Sequence, residues 1–285
     1  MELLTYPLLA FAPAVFWFWF FTRKDTYRPD PKRLISLTFL LGMLSTIPAG
    51  ILNLIFLDES VLDERANIAS VARGMLLVVG PVEEISKFLA VCPVAYRSLY
   101  FEEPSDGLVY ATAASLGFAS LENLLYILEF GPAVMIGRAP LSTVAHVIFG
   151  CFWGYALGRR TIADSRGFII IAGIGAAALV HGMFNLFLFA FPPISIALVV
   201  LGVWWTLRRF NWARLVSPFR YRRNYPRIAC PACSRRISVI SRYCQSCGTP
   251  VFAYHTEIYC GNCDAPNRPG ADYCTRCGDR LLHRT

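Results

Sequence analysis

The sequence predicts an all-α polytopic membrane protein of about seven transmembrane helices, followed by a small cytosolic tail of two β-hairpin zinc ribbons. Three observations predict it. Apolar residues make up 55% of the 285 positions and charged residues only 16%, with a mean hydropathy of +0.47, where soluble domains carry about 25% charged residues. Apolar runs of bilayer length recur through residues 1–209, and eight of the ten cysteines stand beyond position 229. A water-soluble chain this apolar would hold more core than it could cover, so lipid is its second solvent.

The runs are taken in order. Leu3 to Phe21 is apolar apart from Thr5 and Tyr6 and, at about 1.5 Å per residue, is long enough to cross the hydrocarbon core. It lacks the basic start and small-residue cleavage site of a signal peptide, so it reads as a mature helix. Further spans are expected at Leu34–Leu57, Val71–Tyr96, Gly107–Phe130, Leu141–Leu157, Gly167–Phe191 and Pro193–Leu207. The last is short and is set off by Pro192 and Pro193, neither of which can donate a helix hydrogen bond.

Loop charge fixes the expected orientation. The net charge of +8 resembles a nucleic-acid signal, but the arginines sit in loops and tail, where orientation charges belong. Arg23, Lys24, Arg28, Lys32 and Arg33 place the first loop inside; alternation then puts Arg159, Arg160, Arg166 and everything after Arg208 inside too. Glu102, Glu103 and Asp106 make an acidic inner loop, which this rule weighs little. The loop with Asp58, Glu59, Asp63 and Glu64, offset only by Arg65, falls outside. The protein is therefore expected in the cell membrane, N-terminus out and C-terminus in. Residues 210–229 form a basic juxtamembrane linker; seven arginines between Arg208 and Arg227 are interleaved with Trp212, Phe219, Tyr221 and Tyr225. Stop-transfer charge and adhesion to anionic lipid account for it, with no nucleic acid required.

Residues 230–285 repeat a metal-binding pattern. Cys230 and Cys233 are followed after ten residues by Cys244 and Cys247; Cys260 and Cys263 are followed after ten by Cys274 and Cys277. Two thiolate pairs on tight turns supply the all-sulfur tetrahedral set that Zn²⁺ prefers, and Gly248 and Gly278 suit the second turn of each unit. In a reducing compartment this spacing favours metal over disulfides, so two structural Zn²⁺ are expected. His255 and His283 are not needed as ligands. The units resemble the double zinc ribbon family, which implies a module for binding a cytosolic protein partner. Cys92 and Cys151 read as packing residues.

The membrane part carries the chemical signal. An ionisable group at bilayer depth costs about 2.5–3.5 kcal/mol, so it needs a partner and usually a purpose. Glu83, Glu84 and Lys87 lie in the third expected span, Glu122 and Asn123 in the fourth, His146 in the fifth, and His181 and Asn185 in the sixth. Lys87 stands i+4 from Glu83 and i+3 from Glu84, so it can neutralise one carboxylate while the other faces a pocket. Given the orientation above, Glu83, Glu84, Glu122, His146 and His181 fall at a similar level in the outer half of the bilayer. A catalytic or transport cavity requires that alignment.

Glu83-Glu84-Ile-Ser-Lys87, Phe118-Ala-Ser-Leu-Glu122-Asn123, His146 and His181-Gly-Met-Phe-Asn185 resemble, in order, the four motifs of the PrsW family of intramembrane proteases, a branch of the CAAX-protease and bacteriocin-processing superfamily. Lys87, where a longer Arg spacing is common, and Glu122, where the second motif usually has His, favour the PrsW branch. The resemblance implies an endopeptidase acting on membrane-embedded protein substrates, anti-sigma factors being the best-known type. It implies catalytic duties for Glu83, Glu84, Lys87, Glu122, His146, His181 and Asn185.

No Ser–Lys, Ser–His or paired-Asp arrangement lies at this depth. Peptide hydrolysis here needs a base for water and a donor or cation for the oxyanion. One of Glu83 and Glu84 is expected to be the base. His146 and His181 either donate to the oxyanion or hold a catalytic Zn²⁺ with Glu122; the side chains leave both open, and analogy with the superfamily leans to the metal-free version. Two rival readings use the same residues: a transporter whose buried charges line an ion path, and a non-catalytic receptor whose zinc tail recruits partners.

Overall fold

The computed structural model describes residues 2–58, 61, 66–162, 167–219, 227–238, 243–244, 246–250, 258–263, 266–267, 273–274 and 276–281. Glu59, Asp63, Glu64, Arg65, Arg166, Arg220, Arg222, Arg223, His255 and His283 lie outside these residues. The chain divides into a helical unit, 1–220, and a small unit, 221–285.

The helical unit runs α1 (Glu2–Thr22), α2 (Lys32–Phe56), α3 (Ile68–Gly74), α4 (Gly80–Val91), α5 (Pro104–Phe130), α6 (Met135–Gly137), α7 (Thr143–Arg159), α8 (Phe168–Ala190) and α9 (Pro192–Val216). Among the described residues six segments are long and apolar enough to cross a membrane: Thr5–Thr22, Lys32–Phe56, Pro104–Phe130, Pro132–Arg159, Phe168–Ala190 and Pro192–Val216. Two expectations change here. The expected span Val71–Tyr96 is not one α-helix: α3 leads into a π-helical turn, Met75–Val79, then α4, then a second π turn, Cys92–Tyr96. Pro81 and Pro93 give the reason, since a proline lacks the N–H and its ring displaces the carbonyl four residues back, which a wider turn accommodates. The final helix continues past Leu207 to Val216, taking Arg208, Arg209 and Arg214 of the expected linker into regular helix.

The helices arrange around α5, which packs on α7, α2 and α1; α4 bridges α2 and α8, and α9 lies on α8 and α7. Burial ranks them the same way. About two thirds of the α5 span (67%) is buried, against 22% for α2 and α9. The inner faces interlock Tyr110, Leu116, Phe118, Trp153 and Leu157, while Leu54, Leu77, Ile136 and Leu201 point outward, as suits lipid. Small residues set the closest approaches. A Cβ on Gly117 would stand 1.9 Å from the Phe39 carbonyl, welding α5 to α2, and one on Gly182 would stand 2.5 Å from the Met75 carbonyl. That second approach seats α8 against the first π turn and so positions His181 beside α4.

In the small unit, β1 (Arg227–Ala229) pairs antiparallel with β2 (Arg236–Ser238), and β3 (Ile258–Tyr259) with β4 (Pro266–Asn267). Isolated bridges Tyr243–Pro250 and Tyr273–Arg280 close the second half of each repeat. Gly248 and Gly278 take positive φ, 70° and 76°, which glycine adopts without strain. Their N–H groups return to the carbonyls of Cys244 and Cys274.

Candidate active site and metal centres

The expected membrane residues converge from four helices. Glu83, Glu84 and Lys87 come from α4, Glu122 from α5, His146 from α7 and His181 from α8. Lys87 and Glu84 are fully buried, Glu83 is 5% exposed and the two histidines 2% each.

The adjacent glutamates have different surroundings. Glu84 is saturated: Lys87 Nζ donates to Oε1 at 2.7 Å, His181 Nδ1–H to Oε1 at 3.0 Å, and Trp153 Nε1–H to Oε2 at 3.1 Å. Glu83 is nearly free. Asn53 Nδ2 reaches its Oε1 at 3.4 Å, while Oε2 is buried and accepts no hydrogen bond. Lys87 Nζ and His181 Nε2 each stand 3.7 Å from that oxygen, close enough to act through charge only.

The tautomers follow from the partners. A carboxylate only accepts, so His181 donates through Nδ1–H and leaves the Nε2 lone pair facing Glu83. An ammonium only donates, so Lys87 Nζ donates to His146 Nδ1 at 2.8 Å, and His146 Nε2–H donates to Glu122 Oε2 at 2.9 Å. Phe149 stacks on the His181 ring at 4.5 Å and fixes its plane. Lys87 lies over the Phe118 ring at 4.2 Å.

Residues that the sequence did not single out complete the network. Arg138 donates to Glu122 Oε2 and, through Nε, to Asn123 Oδ1 at 2.9 Å, and lies over the Tyr126 ring. Asn123 Nδ2 in turn donates to Thr143 Oγ1. Arg138 stands in the π turn Arg138–Ser142, where Pro140 was the available signal. Trp153 and Asn53 had none, because both are ordinary in an apolar helix. Asn185 is half-buried on α8, with no hydrogen bond among the described residues, and stays apart from the network.

Three of these side chains converge as metal ligands could. Glu83, His146 and His181 each bring one ligand atom to within 4.8 Å of one another; Glu122, held by Arg138 and His146, is not in this trio. Each imidazole has its other nitrogen on a carboxylate, Glu84 for His181 and Glu122 for His146, the pattern that orients metal-bound histidines. The residues fit a divalent transition metal, provided that Lys87 leaves His146 Nδ1.

The tail cysteines form two quartets, Cys230, Cys233, Cys244, Cys247 and Cys260, Cys263, Cys274, Cys277. Sγ separations are 3.7 Å for Cys230–Cys247 and 3.6 Å for Cys233–Cys244, Cys260–Cys277 and Cys263–Cys274. Tetrahedral sulfurs about 2.3 Å from Zn²⁺ lie about 3.8 Å apart, so both quartets are shaped for zinc. Cys151 is buried against Thr112 in the helical unit.

Comparison with known proteins agrees with this division. Residues 230–278 match the double zinc ribbon family. The chain is 30% identical over 206 residues to Protease PrsW of Shouchella clausii, covering 69% of this chain and 93% of that protein. It is 31% identical to Protease PrsW of Geobacillus kaustophilus, covering 71% and 89%, and 26% identical to that of Bacillus subtilis, covering 72% and 94%. No solved structure matches the chain. Residues 30–209 match the family described as PrsW family intramembrane metalloprotease, and with four helices delivering the expected carboxylates and imidazoles to one buried point, the chain belongs to that family of membrane-embedded proteases.

Proposed function

We propose that this intramembrane protease hydrolyses its substrate at the Glu83 side of the buried network, with Glu83 as the general base. The observation that carries the reading is the unpartnered Glu83 Oε2 facing the free Nε2 of His181, beside a Glu84 whose oxygens are both taken. Water bound between Glu83 and His181 gives a proton to Glu83 as its oxygen adds to the scissile carbonyl; Glu83 then passes that proton to the leaving amine. Lys87 supplies positive charge near the developing oxyanion. Glu84 fixes the His181 tautomer, and Glu122 does the same for His146. A divalent metal bound by Glu83, His146 and His181 would lower the pKa of a ligated water and polarise the carbonyl.

We further propose seven crossings, with Ile68–Tyr96 as the third despite its π turns, the N-terminus outside and the zinc ribbons, folded as β-hairpins, in the cytosol. The substrate class is a single-pass, anti-sigma-factor-like membrane protein cut near the outer surface, and the ribbons bind a cytosolic protein partner. The catalytic chemistry is tested on the helical unit truncated after Arg223, which removes the eight tail thiolates, in detergent with single-pass substrates. Loss of cleavage in strong chelator and its return with zinc is the expected result for the metal-bound trio. Full activity in chelator would remove the metal and leave the Glu83 base; no cleavage under any condition would sink the base assignment with it.

A further inference from the structure

Away from the Glu83 network, four buried carboxylates meet where α1 turns toward α2 and α5 begins. Asp25 and Asp30 lie in the intervening loop, Glu103 precedes α5 and Asp106 sits in its first turn; they are 6%, 7%, 1% and 2% exposed. Each has one oxygen fixed by a donor. Asp25 Oδ2 accepts from the Asp30 N–H at 2.8 Å, and Asp30 Oδ1 from the Tyr110 hydroxyl at 2.7 Å. Asp106 Oδ2 accepts from the N–H groups of Glu102 and Glu103 at 2.7 and 2.8 Å, and Glu103 Oε2 from the Ser217 hydroxyl.

The other oxygen of each is left over. Among the described residues Asp25 Oδ1, Asp30 Oδ2, Glu103 Oε1 and Asp106 Oδ1 are buried and accept from no donor, although the Asp25 and Glu103 carboxyls stand within hydrogen-bond reach of each other and the Glu103 side chain also caps the Asp106 N–H. A single buried acceptor without a partner is costly and calls for an explanation. Four, from two separate stretches of chain and each on a side chain already oriented by its sister oxygen, call for a ligand. Asp25, Glu103 and Asp106 bring an oxygen each to within 4.8 Å of one another. The neighbouring cation, Arg28, pairs with Glu102, lies over the Phe219 ring and acts through charge on Asp30, Glu103 and Asp106, so one positive charge faces four carboxylates.

We propose that this corner binds one hard divalent cation, Ca²⁺ or Mg²⁺, on Asp25, Glu103 and Asp106, with Asp30 beside them. The donors are all oxygen, as those ions require, with no nitrogen or sulfur to attract zinc. The ion ties the α1–α2 loop to the start of α5 and, through Ser217 on Glu103, to the end of α9. It is separate from the protease centre and from the cysteine quartets.

The test is thermal unfolding of the full-length, zinc-loaded protein in detergent at neutral pH, without chelator. Millimolar Ca²⁺ or Mg²⁺ is compared with monovalent salt of equal ionic strength, and the two ions are run as separate arms. One of them is expected to raise the midpoint by about 3 °C or more. Asp25→Asn and Glu103→Gln should each abolish that rise while melting, in monovalent salt, no lower than the unsubstituted protein, because repulsion has been removed. Should one variant fail to accumulate, the other decides. No rise with either ion overturns the proposal, as does an equal rise in both variants, which marks an effect on detergent or lipid. A midpoint that responds to acid but not to either cation also overturns it, because the oxygens then share protons.

Discussion

Glu83→Gln and Glu84→Gln make nearly the same chemical change at neighbouring positions, and the structure gives them opposite consequences. In Glu84 both oxygens are occupied, by Lys87, His181 and Trp153, at zero exposure. The substitution leaves one oxygen to accept from three donors and turns an amide N–H toward one of them. Breaking a buried charged pair on one side costs about 3–5 kcal/mol, and each kcal/mol moves the midpoint of a unit this size by about 2–4 °C. Glu84→Gln should therefore melt roughly 10 °C lower, and lose activity through misplacement of His181. Glu83 gives up no normal-length charged contact, since Lys87 and His181 stand at 3.7 Å and the Asn53 contact survives on the Gln carbonyl. Glu83→Gln should hold its midpoint to within about 2 °C and lose at least about 10²-fold in turnover. The assays are thermal unfolding and cleavage of a single-pass substrate, both in detergent. A Glu83→Gln protein cleaving at the normal rate, or a Glu84→Gln protein that melts normally and is dead, would refute this division.

Three further outcomes are expected. Arg138→Ala should lower turnover by about 10- to 100-fold through loosened Glu122 and His146, with kcat falling more than KM rises and Arg138→Lys restoring part of it; equal loss in both variants would leave Arg138 a packing residue only. Elemental analysis of reduced full-length protein should find at least two zinc ions per chain, and one fewer in Cys247→Ser or Cys277→Ser; an unchanged count would show that a quartet does not bind as drawn. Burial pushes the carboxyls of Asp25 and Asp30 up from 3.8 to about 7. The folded state therefore holds protons that the unfolded state has released, and stability from these groups falls as pH rises from about 4 to about 7. In monovalent salt, the midpoint of the unsubstituted protein minus that of Asp25→Asn should drop across that window and flatten above it. A flat difference throughout would show that Asp25 ionises normally.

The parts legible in the sequence were those where polarity or spacing stood against a uniform background. Glu83, Glu84, Lys87, His146 and His181 announce themselves because each is expensive in lipid, and the zinc quartets because two pairs recur at one interval. What stayed hidden depends on neighbours from other helices. Lys87 is spaced to reach Glu83 or Glu84 equally well, and the choice is made by Trp153 from α7 and His181 from α8. Arg138 lies ahead of the expected fifth span, in the π turn Arg138–Ser142, and its contact with Glu122 depends on how that turn packs against α5. Hydropathy likewise cannot report that Pro81 and Pro93 interrupt α-helical geometry between Ile68 and Tyr96. In sequence Glu102, Glu103 and Asp106 make an acidic loop, yet Glu103 and Asp106 are buried by contacts with Asp25, Asp30 and Ser217 from elsewhere in the chain.

The same network narrows the choice between metal-bound and metal-free hydrolysis to one contact. Glu122, His146, Lys87, Glu84 and His181 form a continuous chain in which each link uses one donor and one acceptor. The chain ends on the free Nε2 of His181, beside which stands Glu83 Oε2; together they offer two ligand atoms and no third. His146 would supply the third through Nδ1, since its Nε2 is on Glu122, and Nδ1 accepts from the Lys87 ammonium, which a metal there would displace. A metal and the Lys87–His146 hydrogen bond are therefore mutually exclusive, whereas a Glu83 base acting alone keeps that bond intact. Lys87→Met separates the two. Removing the ammonium frees His146 Nδ1, so metal affinity of the truncated helical unit should rise if the trio is the site. If hydrolysis runs on Glu83 and the Lys87 charge alone, the same substitution leaves metal binding unchanged and lowers turnover by about 10²-fold or more, as expected when an oxyanion-stabilising group is lost.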